Sequence, residues 1–521
     1  MEKLSSFLAK TGQILSSIFF MALLISSILF QTVLPMDGSE YAHIYWIPPG
    51  KTLWLILLLL LVSYLLLFLP RVPISSLLIC GLLTYIVFGI IMIYAINWNL
   101  AFDARVVWES AKEINDGIIS SLYTDGYLYR YPHQLGLVTI ERIFLFIVPF
   151  ANNTVLFFVN LVMILISQFY GAKFTWELFR NKTILKIYLV LLFLFLPQLF
   201  SIFFVYGIVP GTLFSLIGLF HLIKYIKEEK NSDLLLTIIG MSLAYLVRNN
   251  FIILLIATII VLILYGLAKR TKKVVFLATL LFLLPIGIVR INKLHYENIA
   301  NISLSGVPKI TWVTMGLNDT KIFNRLPGWY DAYVETIYGD TNGNFKKMES
   351  IAKKDLSNRI KNFSNNPSYT TTFFLTKFLS TWTDGNFQTL WSGPSTYVEG
   401  ELRLKWVQEL YSGKGPYHLV ISFGHYVLIF IYLGLVLAIW QLIKSPSQTY
   451  LPALIPIFYM VGGILFHLAW ETKSQYAYPY IILVLPVSAF GLFQLGFLGV
   501  WIRRFCQWYW FQIRQVFMGK N

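Results

Sequence analysis

Runs of about 20 apolar residues recur along most of this chain, separated by short polar segments. A helix of that length crosses the roughly 30 Å hydrocarbon core of a bilayer, where every backbone polar group needs a partner within the protein. The sequence therefore predicts an all-α polytopic membrane protein with about twelve transmembrane helices. The predicted spans are 12–34, 51–69, 74–96, 154–172, 185–204, 207–226, 233–249, 250–268, 274–290, 419–443, 450–468 and 479–500.

One further apolar segment, residues 134–150, is short and carries Glu141 and Arg142 near its middle. Because lone charges in hydrocarbon cost several kcal/mol, we predict a re-entrant or interfacial helix there. The positive-inside rule favours this choice, since it then places the main Lys and Arg clusters between spans on the cytoplasmic side. Both termini are predicted to be cytoplasmic. The first apolar segment is interpreted as a retained span, because it is long and has no clear small-residue cleavage site.

This topology predicts a multi-pass cell-membrane protein whose chemistry is extracytoplasmic. Its predicted parts are 1–96, the first three transmembrane helices; 97–153, an extracytoplasmic loop with interfacial and re-entrant helices; 154–290, transmembrane helices 4–9; 291–418, a large extracytoplasmic loop; 419–500, transmembrane helices 10–12; and 501–521, a cytoplasmic basic amphipathic tail.

The formal net charge of +16 does not indicate a nucleic-acid-binding protein. The Lys and Arg residues lie in short clusters between apolar runs, so membrane orientation and anionic lipid explain them better. Cys80 lies inside an apolar run and Cys506 in the basic tail, which gives neither a disulfide partner nor a metal-ligand spacing.

The large outer segment is predicted to form amphipathic helices and turns rather than alternating strands. Residues 348–363 place apolar side chains near helical spacing, and 371–382 is typical of a helix lying on the membrane. The apolar positions of the first of these helices are Met348, Ile351, Leu356, Ile360 and Phe363.

Asp103 begins the stretch "FDARVVWES", where apolar residues recur at helical spacing over 103–118. The simple interpretation is an N-cap, because an Asp there accepts amide hydrogen bonds and suits the helix dipole. A second interpretation is compatible with it. A carboxylate held ionised at the membrane surface can serve as a general base.

Other polar residues predicted to lie outside have equally simple explanations. Arg130 and His133 are typical of interfacial anchors, Glu109 and Asp125 of solvated charges, and Arg248 of a snorkelling side chain between two spans. The stretch "WETKSQYAYPY", at 470–480, is also compatible with a polar turn between spans.

Taken together, these motifs resemble a known pattern. An outer acidic residue in "FDARVVWESA", the segment "YRYPHQLG", "LVRNN" between two spans and "WETKSQYAYPYIILVLP" before the final span are similar to the C-type (GT-C) membrane glycosyltransferases. That superfamily includes protein O-mannosyltransferases and the aminoarabinose transferases of lipid A. Gram-positive bacterial members are the most similar, through "WVTMGLND" and "WTDGNFQTLW".

The resemblance implies a polyprenyl-phosphate sugar donor and a catalytic acidic residue in the first large outer loop, where Asp103 occupies the matching position. Gln475 and Gln134 stand where family members often have Arg and Asn, and a paired Asp-Asp is absent. The residues expected to bind substrate are Glu109, Arg130, Tyr131, His133, Gln134, Arg248, Glu471, Lys473 and Tyr476.

The expected reaction is a single inverting displacement. Asp103 takes the acceptor proton, and Arg130, Arg248 or Lys473 receives charge on the departing lipid phosphate. The short inner loops have no room for the soluble α/β domain that usually holds a nucleotide sugar, which favours a membrane-borne donor. The expected acceptor is a cell-envelope glycopolymer, glycolipid or protein, and a donor-synthesising glycosyltransferase and a flippase are expected partners. No cofactor is required by the sequence, although a divalent cation is compatible with the reaction.

Three other functions fit some of these features. A transporter or flippase also needs many spans, and Arg248 or His467 would then belong to a substrate path. A polymerase or ligase of lipid-linked glycans would use a diphosphate-linked oligosaccharide instead. A purely structural membrane scaffold accounts for the spans but gives no reason for polar groups to cluster outside.

Overall fold

The computed structural model describes residues 1–320, 325–394, 400–444 and 448–518, and it is almost entirely helical in these ranges. In chain order the α-helices are α1 (Glu2–Leu29), α2 (Pro49–Leu65), α3 (Ile74–Ala95), α4 (Phe102–Asn115), α5 (Tyr127–Arg130), α6 (Leu135–Ile147), α7 (Asn153–Phe179), α8 (Lys182–Leu194), α9 (Pro197–Phe200), α10 (Ile208–Glu228), α11 (Asn231–Val247), α12 (Ile252–Lys269), α13 (Lys272–Ala300), α14 (Lys309–Gly316), α15 (Tyr333–Asp340), α16 (Phe345–Asn365), α17 (Pro367–Trp382), α18 (Lys405–Tyr411), α19 (Gly415–Lys444), α20 (Leu454–Ala469), α21 (Tyr478–Leu492) and α22 (Leu495–Met518).

Nine of the helical stretches in the described ranges are long and apolar enough to cross a membrane. A tenth results if α8 and the helical turns after it, which bend by 48°, count as one span. The helices α2 and α11 are apolar but shorter. The prediction of an all-α polytopic membrane protein is thereby confirmed, while the count of about twelve spans stays a prediction.

The bend after α8 follows from a proline. Pro197 cannot donate a backbone hydrogen bond, and it disfavours helical geometry in the residue before it. Other side chains bind the carbonyls that the break leaves free. The Tyr85 hydroxyl donates to the Phe195 carbonyl at 3.0 Å, and the Gln198 amide donates to the Leu192 carbonyl at 2.7 Å. A break in a membrane helix is stable only when its backbone groups find such partners.

Glycines let several of the long helices approach closely. A Cβ atom added to Gly491 on α21 would lie 1.8 Å from the Gly434 carbonyl oxygen of α19. One added to Gly240 on α11 would lie 2.9 Å from Gly218 Cα of α10. Packing of this kind holds membrane helices together where lipid removes the hydrophobic driving force.

Three helix pairs are joined by two-residue turns at one end of the bundle: α7–α8, α10–α11 and α12–α13. Each turn begins with a charged residue in the left-handed backbone region, namely Arg180, Glu229 and Arg270. Ion pairs link these elements to one another, including Lys227 of α10 to Glu177 of α7 at 3.3 Å and Glu229 of the α10–α11 turn to Lys273 of α13. The basic clusters near 173–182, 224–230 and 268–273 therefore share one end of the bundle, here called the basic end.

The opposite end, here called the site end, carries the segments between α3 and α7 and between α13 and α19. It also carries two antiparallel pairs of short strands, β1 (Phe30–Val33) with β2 (His43–Trp46) and β3 (Ile96–Trp98) with β4 (Gly400–Leu402). At this end, several boundaries differ from those predicted from the sequence. The helix α1 ends at Leu29 rather than near 34, and the large segment runs from 301 to 414, because α13 and α19 extend into the predicted loop.

The helices predicted for the site end are present. The 103–118 prediction corresponds to α4, 348–363 to α16, and 371–382 to α17. The 134–150 segment forms α6, whose 13 residues span only about 20 Å and thus fall short of a bilayer core. Of the predicted apolar positions of α16, Met348 is buried in the protein, while Ile351 and Ile360 are exposed. The predicted 501–521 tail belongs to α22, and 519–521 lie outside the described residues.

Candidate functional site

Asp103 lies in the first turn of α4, at the site end. The predicted N-cap role is wrong, because Ala101 occupies the N-cap position and no side-chain capping bond is formed. The preceding residue, Phe102, has a φ of 51° and stacks on Trp391 with ring centroids 5.4 Å apart. A non-glycine residue in that region costs about 1–3 kcal/mol and is typical of functional sites.

Asp103 is an exposed residue, yet many protein atoms lie near its carboxyl group. Burial raises the pKa of Asp103. Three influences lower this pKa: the charge of Lys473, a hydrogen bond from Tyr127 and the charge of Arg248. They do not outweigh burial, so the net shift of the pKa is upward. The side chain thus combines access to water with a basicity above that of an ordinary aspartate.

A chain of hydrogen bonds ends on this carboxylate. The Tyr127 hydroxyl contacts both Asp103 and the Tyr206 hydroxyl, and the Gln134 amide donates to Tyr206. Each hydroxyl has one proton to donate. In one consistent arrangement, Gln134 donates to Tyr206, Tyr206 donates to Tyr127, and Tyr127 donates to Asp103. The chain fixes the carboxylate from one side and leaves its other side open.

Two cations act electrostatically on Asp103. The Arg248 guanidinium lies 5.3 Å from the ring centroids of both Tyr206 and Tyr476, which hold it between them. Lys473 Nζ lies 2.7 Å from Glu40 Oε1 and 5.3 Å from the Tyr330 ring centroid. The chain provides these cations from two different interhelical connections, so they converge only in the folded protein.

Glu40 holds Lys473 in place. It is buried between Lys473, Arg325 and Gln388, whose amide donates to it at 2.6 Å. Burial raises the pKa of Glu40, but Lys473 and Arg325 together outweigh it, so the net pKa is lowered. Glu40 lies between the first two predicted spans and was not among the residues expected at the site. The feature that could have indicated Glu40 is its position as an acidic residue in a short loop on the predicted outer side.

Glu471 is the second buried carboxyl near these cations. Its Oε1 lies 3.4 Å from the Tyr476 hydroxyl. Burial is the largest influence on its pKa and raises it to about 7, although Lys473 opposes the shift. Glu471 therefore lies at the hydroxyl of the tyrosine whose ring contacts Arg248, and its charge changes near neutral pH.

Two predicted site residues lie elsewhere. Glu109 is exposed and pairs with Arg105 at 2.7 Å along α4. Arg130 lies over the rings of Tyr131 and Tyr338, at 5.6 and 5.5 Å, and is absent from the groups that act most strongly on Asp103. Gln475 accepts a hydrogen bond from Ser392 at 3.0 Å and carries no charge to replace the Arg of the family pattern.

Tyr131 and His133 lie beside the site and pack with Trp312 of α14. Glu335 of α15 accepts a 2.6 Å hydrogen bond from the Tyr131 hydroxyl and also acts electrostatically on Asp103. Trp312 begins the motif "WVTMGLND" but was not among the expected substrate-binding residues, and neither was Glu335. No local pattern distinguishes Glu335 from other residues of the large outer segment.

Within the described ranges, no group of three or more His, Cys, Asp or Glu side chains is arranged to hold a metal ion. Comparisons of the chain with protein-family models, curated proteins and solved structures return no match.

Proposed function

We propose that this chain is a membrane glycosyltransferase that moves a sugar from a polyprenyl-phosphate donor to an acceptor in the cell envelope. The observation that carries the proposal is the convergence of a solvent-accessible carboxylate, Asp103, with Arg248 and Lys473 at one end of a membrane helix bundle. The resemblance of the sequence motifs to the GT-C superfamily supports the same reaction. We also propose that the chain crosses the membrane about twelve times.

In this reaction Asp103 accepts the proton of an acceptor hydroxyl while the hydroxyl oxygen bonds to the anomeric carbon. The bond between that carbon and the phosphate oxygen breaks, and the configuration of the sugar inverts. The polyprenyl phosphate leaves with an additional negative charge. Arg248 and Lys473 are positioned to receive this charge, and fixed cations of this kind contribute several kcal/mol to transition-state stabilisation.

The electrostatics of Asp103 suit a general base. A raised pKa makes the carboxylate a stronger proton acceptor than a free aspartate, while the nearby cations limit the shift. Because only the ionised form accepts a proton, activity should rise with pH through the pKa of Asp103. The acid limb of the pH profile should therefore lie above the ordinary aspartate range.

The connections at the basic end favour a donor carried by lipid. Three of them are two-residue turns, which cannot hold a nucleotide-sugar-binding domain. The positive-inside rule assigns the basic end to the cytoplasm, so the site and both long segments face outside and the termini face inside. A donor glycosyltransferase and a flippase would then supply the lipid-linked sugar.

The direct test uses purified protein, labelled polyprenyl-phosphate sugar and a cell-envelope extract as acceptor. Asp103→Asn should reduce transfer by about 10²–10⁴-fold, the usual contribution of a general base, and still bind the lipid donor. Glu109→Gln is the matched control, since it removes an exposed carboxylate from the same helix. Near-normal transfer by Asp103→Asn would exclude Asp103 as the base.

The same preparation separates the rival functions. Movement of labelled lipid across a vesicle without a new covalent bond would identify a transporter. Use of diphosphate-linked oligosaccharide in place of the phosphate-linked sugar would identify a polymerase or ligase. Removing divalent cations with a chelator tests whether transfer needs one.

A further inference from the structure

A buried carboxylate is linked to both members of the Lys473–Glu40 ion pair. Asp384 follows α17 and is 3% exposed. Its Oδ2 accepts a hydrogen bond from the Ser474 hydroxyl and another from the Gln388 backbone N–H, each at 2.7 Å. Ser474 is the residue after Lys473, and the Gln388 side chain donates to Glu40 at 2.6 Å. One carboxylate oxygen therefore joins the segments that carry the cation and its counter-charge.

The backbone conformation around Gln388 is one that Asp384 stabilises. Phe387 and Gln388 have φ values of 49° and 56°, in the left-handed region that residues with side chains disfavour. Such a conformation persists only where surrounding contacts hold it. Besides the Gln388 N–H, Asp384 accepts a hydrogen bond from the Asn386 N–H at 2.9 Å, which is the usual way an Asp side chain stabilises a turn. The turn that directs Gln388 to Glu40 thus depends on this carboxylate.

The segment that follows α17 also reaches the proposed base. Trp391 stacks on Phe102, the residue before Asp103, with ring centroids 5.4 Å apart. The Trp391 Nε1–H donates to the carbonyl of Ser39, the residue before Glu40, at 3.0 Å. The same short segment therefore contacts the start of the helix that carries the base and the loop that carries the counter-charge of the cation.

We infer that Asp384 is a positioning residue that sets Lys473 relative to Asp103 for the departing phosphate. This inference rests on the proposed function and adds a residue that acts through Ser474 and Gln388. A lysine ammonium sits on a flexible four-carbon stem, so it stabilises charge at one point only if its surroundings hold it there. A misplacement of about 1 Å can reduce a rate about 10²-fold.

The test uses Ser474→Ala, which removes the bond to Asp384 beside Lys473 and keeps the two N–H bonds of the turn. The probe is a short-chain polyprenyl phosphate, the leaving group of the proposed reaction. Its Kd, measured by calorimetry in detergent, should rise about tenfold, and kcat should fall while the acceptor KM stays near wild type. Thr389→Ala is the matched control. It removes a buried hydroxyl that bonds locally, to the Asn386 carbonyl, and should leave the Kd unchanged.

A double-mutant cycle separates positioning from a merely structural role. In a Lys473→Gln background, Ser474→Ala should not weaken polyprenyl-phosphate binding further, because the cation through which it acts is gone. Asp384→Asn should resemble Ser474→Ala, since a carboxamide presents an NH₂ group to donors that the carboxylate accepts. Additive losses of affinity in the cycle, or a lower melting temperature with an unchanged Kd, would overturn the inference.

Chemical labelling tests the position of Lys473 without any phosphate. Ser474→Ala should let an amine-acylating reagent modify Lys473 faster, relative to the exposed Lys353 of the same chain, and Thr389→Ala should not. Mass spectrometry of the peptides measures both rates. An unchanged labelling rate would overturn the inference. Failure of wild type to bind polyprenyl phosphate or to transfer sugar would instead overturn the proposed function, and the labelling would still decide whether Asp384 positions Lys473.

Discussion

Ion pairs occur at both ends of the helix bundle, and an exposed pair at the basic end can be compared with a buried cluster at the site end. At the basic end, Lys273 and Glu229 pair with side chains that are 65% and 56% exposed. At the site end, Glu40 is 4% exposed and contacts Lys473 and Arg325, which are each 15% exposed. The pair and the cluster therefore contain similar residue types, and they differ in how deeply the side chains are buried.

The physical reason lies in the cost of removing charges from water. Exposed pairs gain little, because solvent and salt screen them and because long side chains lose freedom. A buried cluster persists only when each charge is compensated, and removal of one member leaves the others unpaired. The Glu40 cluster therefore depends on the compensation of its charges, whereas the exposed pair of Lys273 and Glu229 adds little stability.

The largest effect should come from Glu40→Gln, which keeps the shape of the side chain but leaves Lys473 and Arg325 without a counter-charge. We expect a loss of stability of about 3–5 kcal/mol, the usual result of breaking a buried pair, together with a marked loss of transfer. Thermal unfolding in detergent and the transfer assay measure the two effects. Asp37→Asn is the control, since Asp37 is an exposed carboxylate of the same loop that bonds only locally, to Ser39. Equal melting temperatures for the two variants would mean that Glu40 is not essential to the cluster.

A smaller effect, dependent on pH, should come from Glu471→Gln. The pKa of Glu471 rises to about 7 in the folded protein, so the folded state binds a proton that the unfolded chain has released above its ordinary value of 4.5. This contribution to stability is complete below about pH 4.5 and is lost as the pH rises to about 7. Wild type should therefore lose a few °C in Tm relative to the variant between pH 5 and pH 7.5. A difference in Tm that is constant with pH would contradict the assigned shift.

The smallest effect should come from Lys273→Gln at the basic end. Because the pair with Glu229 is exposed, we expect no measurable change in transfer and almost none in Tm. A double-mutant cycle with Glu229→Gln isolates the pair itself. A coupling comparable with that of Glu40 and Lys473 would abolish the contrast between the exposed pair and the buried cluster.

The sequence predicted much of this fold because its main signals are local. Hydropathy predicted most membrane helices, and apolar spacing predicted α4, α16 and α17 near their observed positions. Asp103, Arg248 and Lys473 were recognisable as charged residues next to apolar runs, a pattern contained within a few neighbouring positions.

The remaining site residues depend on long-range contacts. Glu40 meets Gln388 across 348 positions of sequence, and Tyr131 meets Glu335 across 204. No periodicity indicates such pairs. The N-cap prediction for Asp103 failed for a related reason, since Phe102 adopts a left-handed backbone that local propensity disfavours. The tertiary environment of the site determines that conformation.

The two-residue turns at the basic end have a mechanical consequence. Paired helices joined so closely cannot slide or separate there. At the other end α11 and α12 are joined by residues 248–251, but α8 leads to α10 through residues 195–207 and α13 leads to α19 through the large segment 301–414. Any tilt between neighbouring helices pivots about the short turns, and its displacement grows with distance along each helix. Entry of a large substrate would then spread the helices most where Asp103 lies and least where the turns hold them.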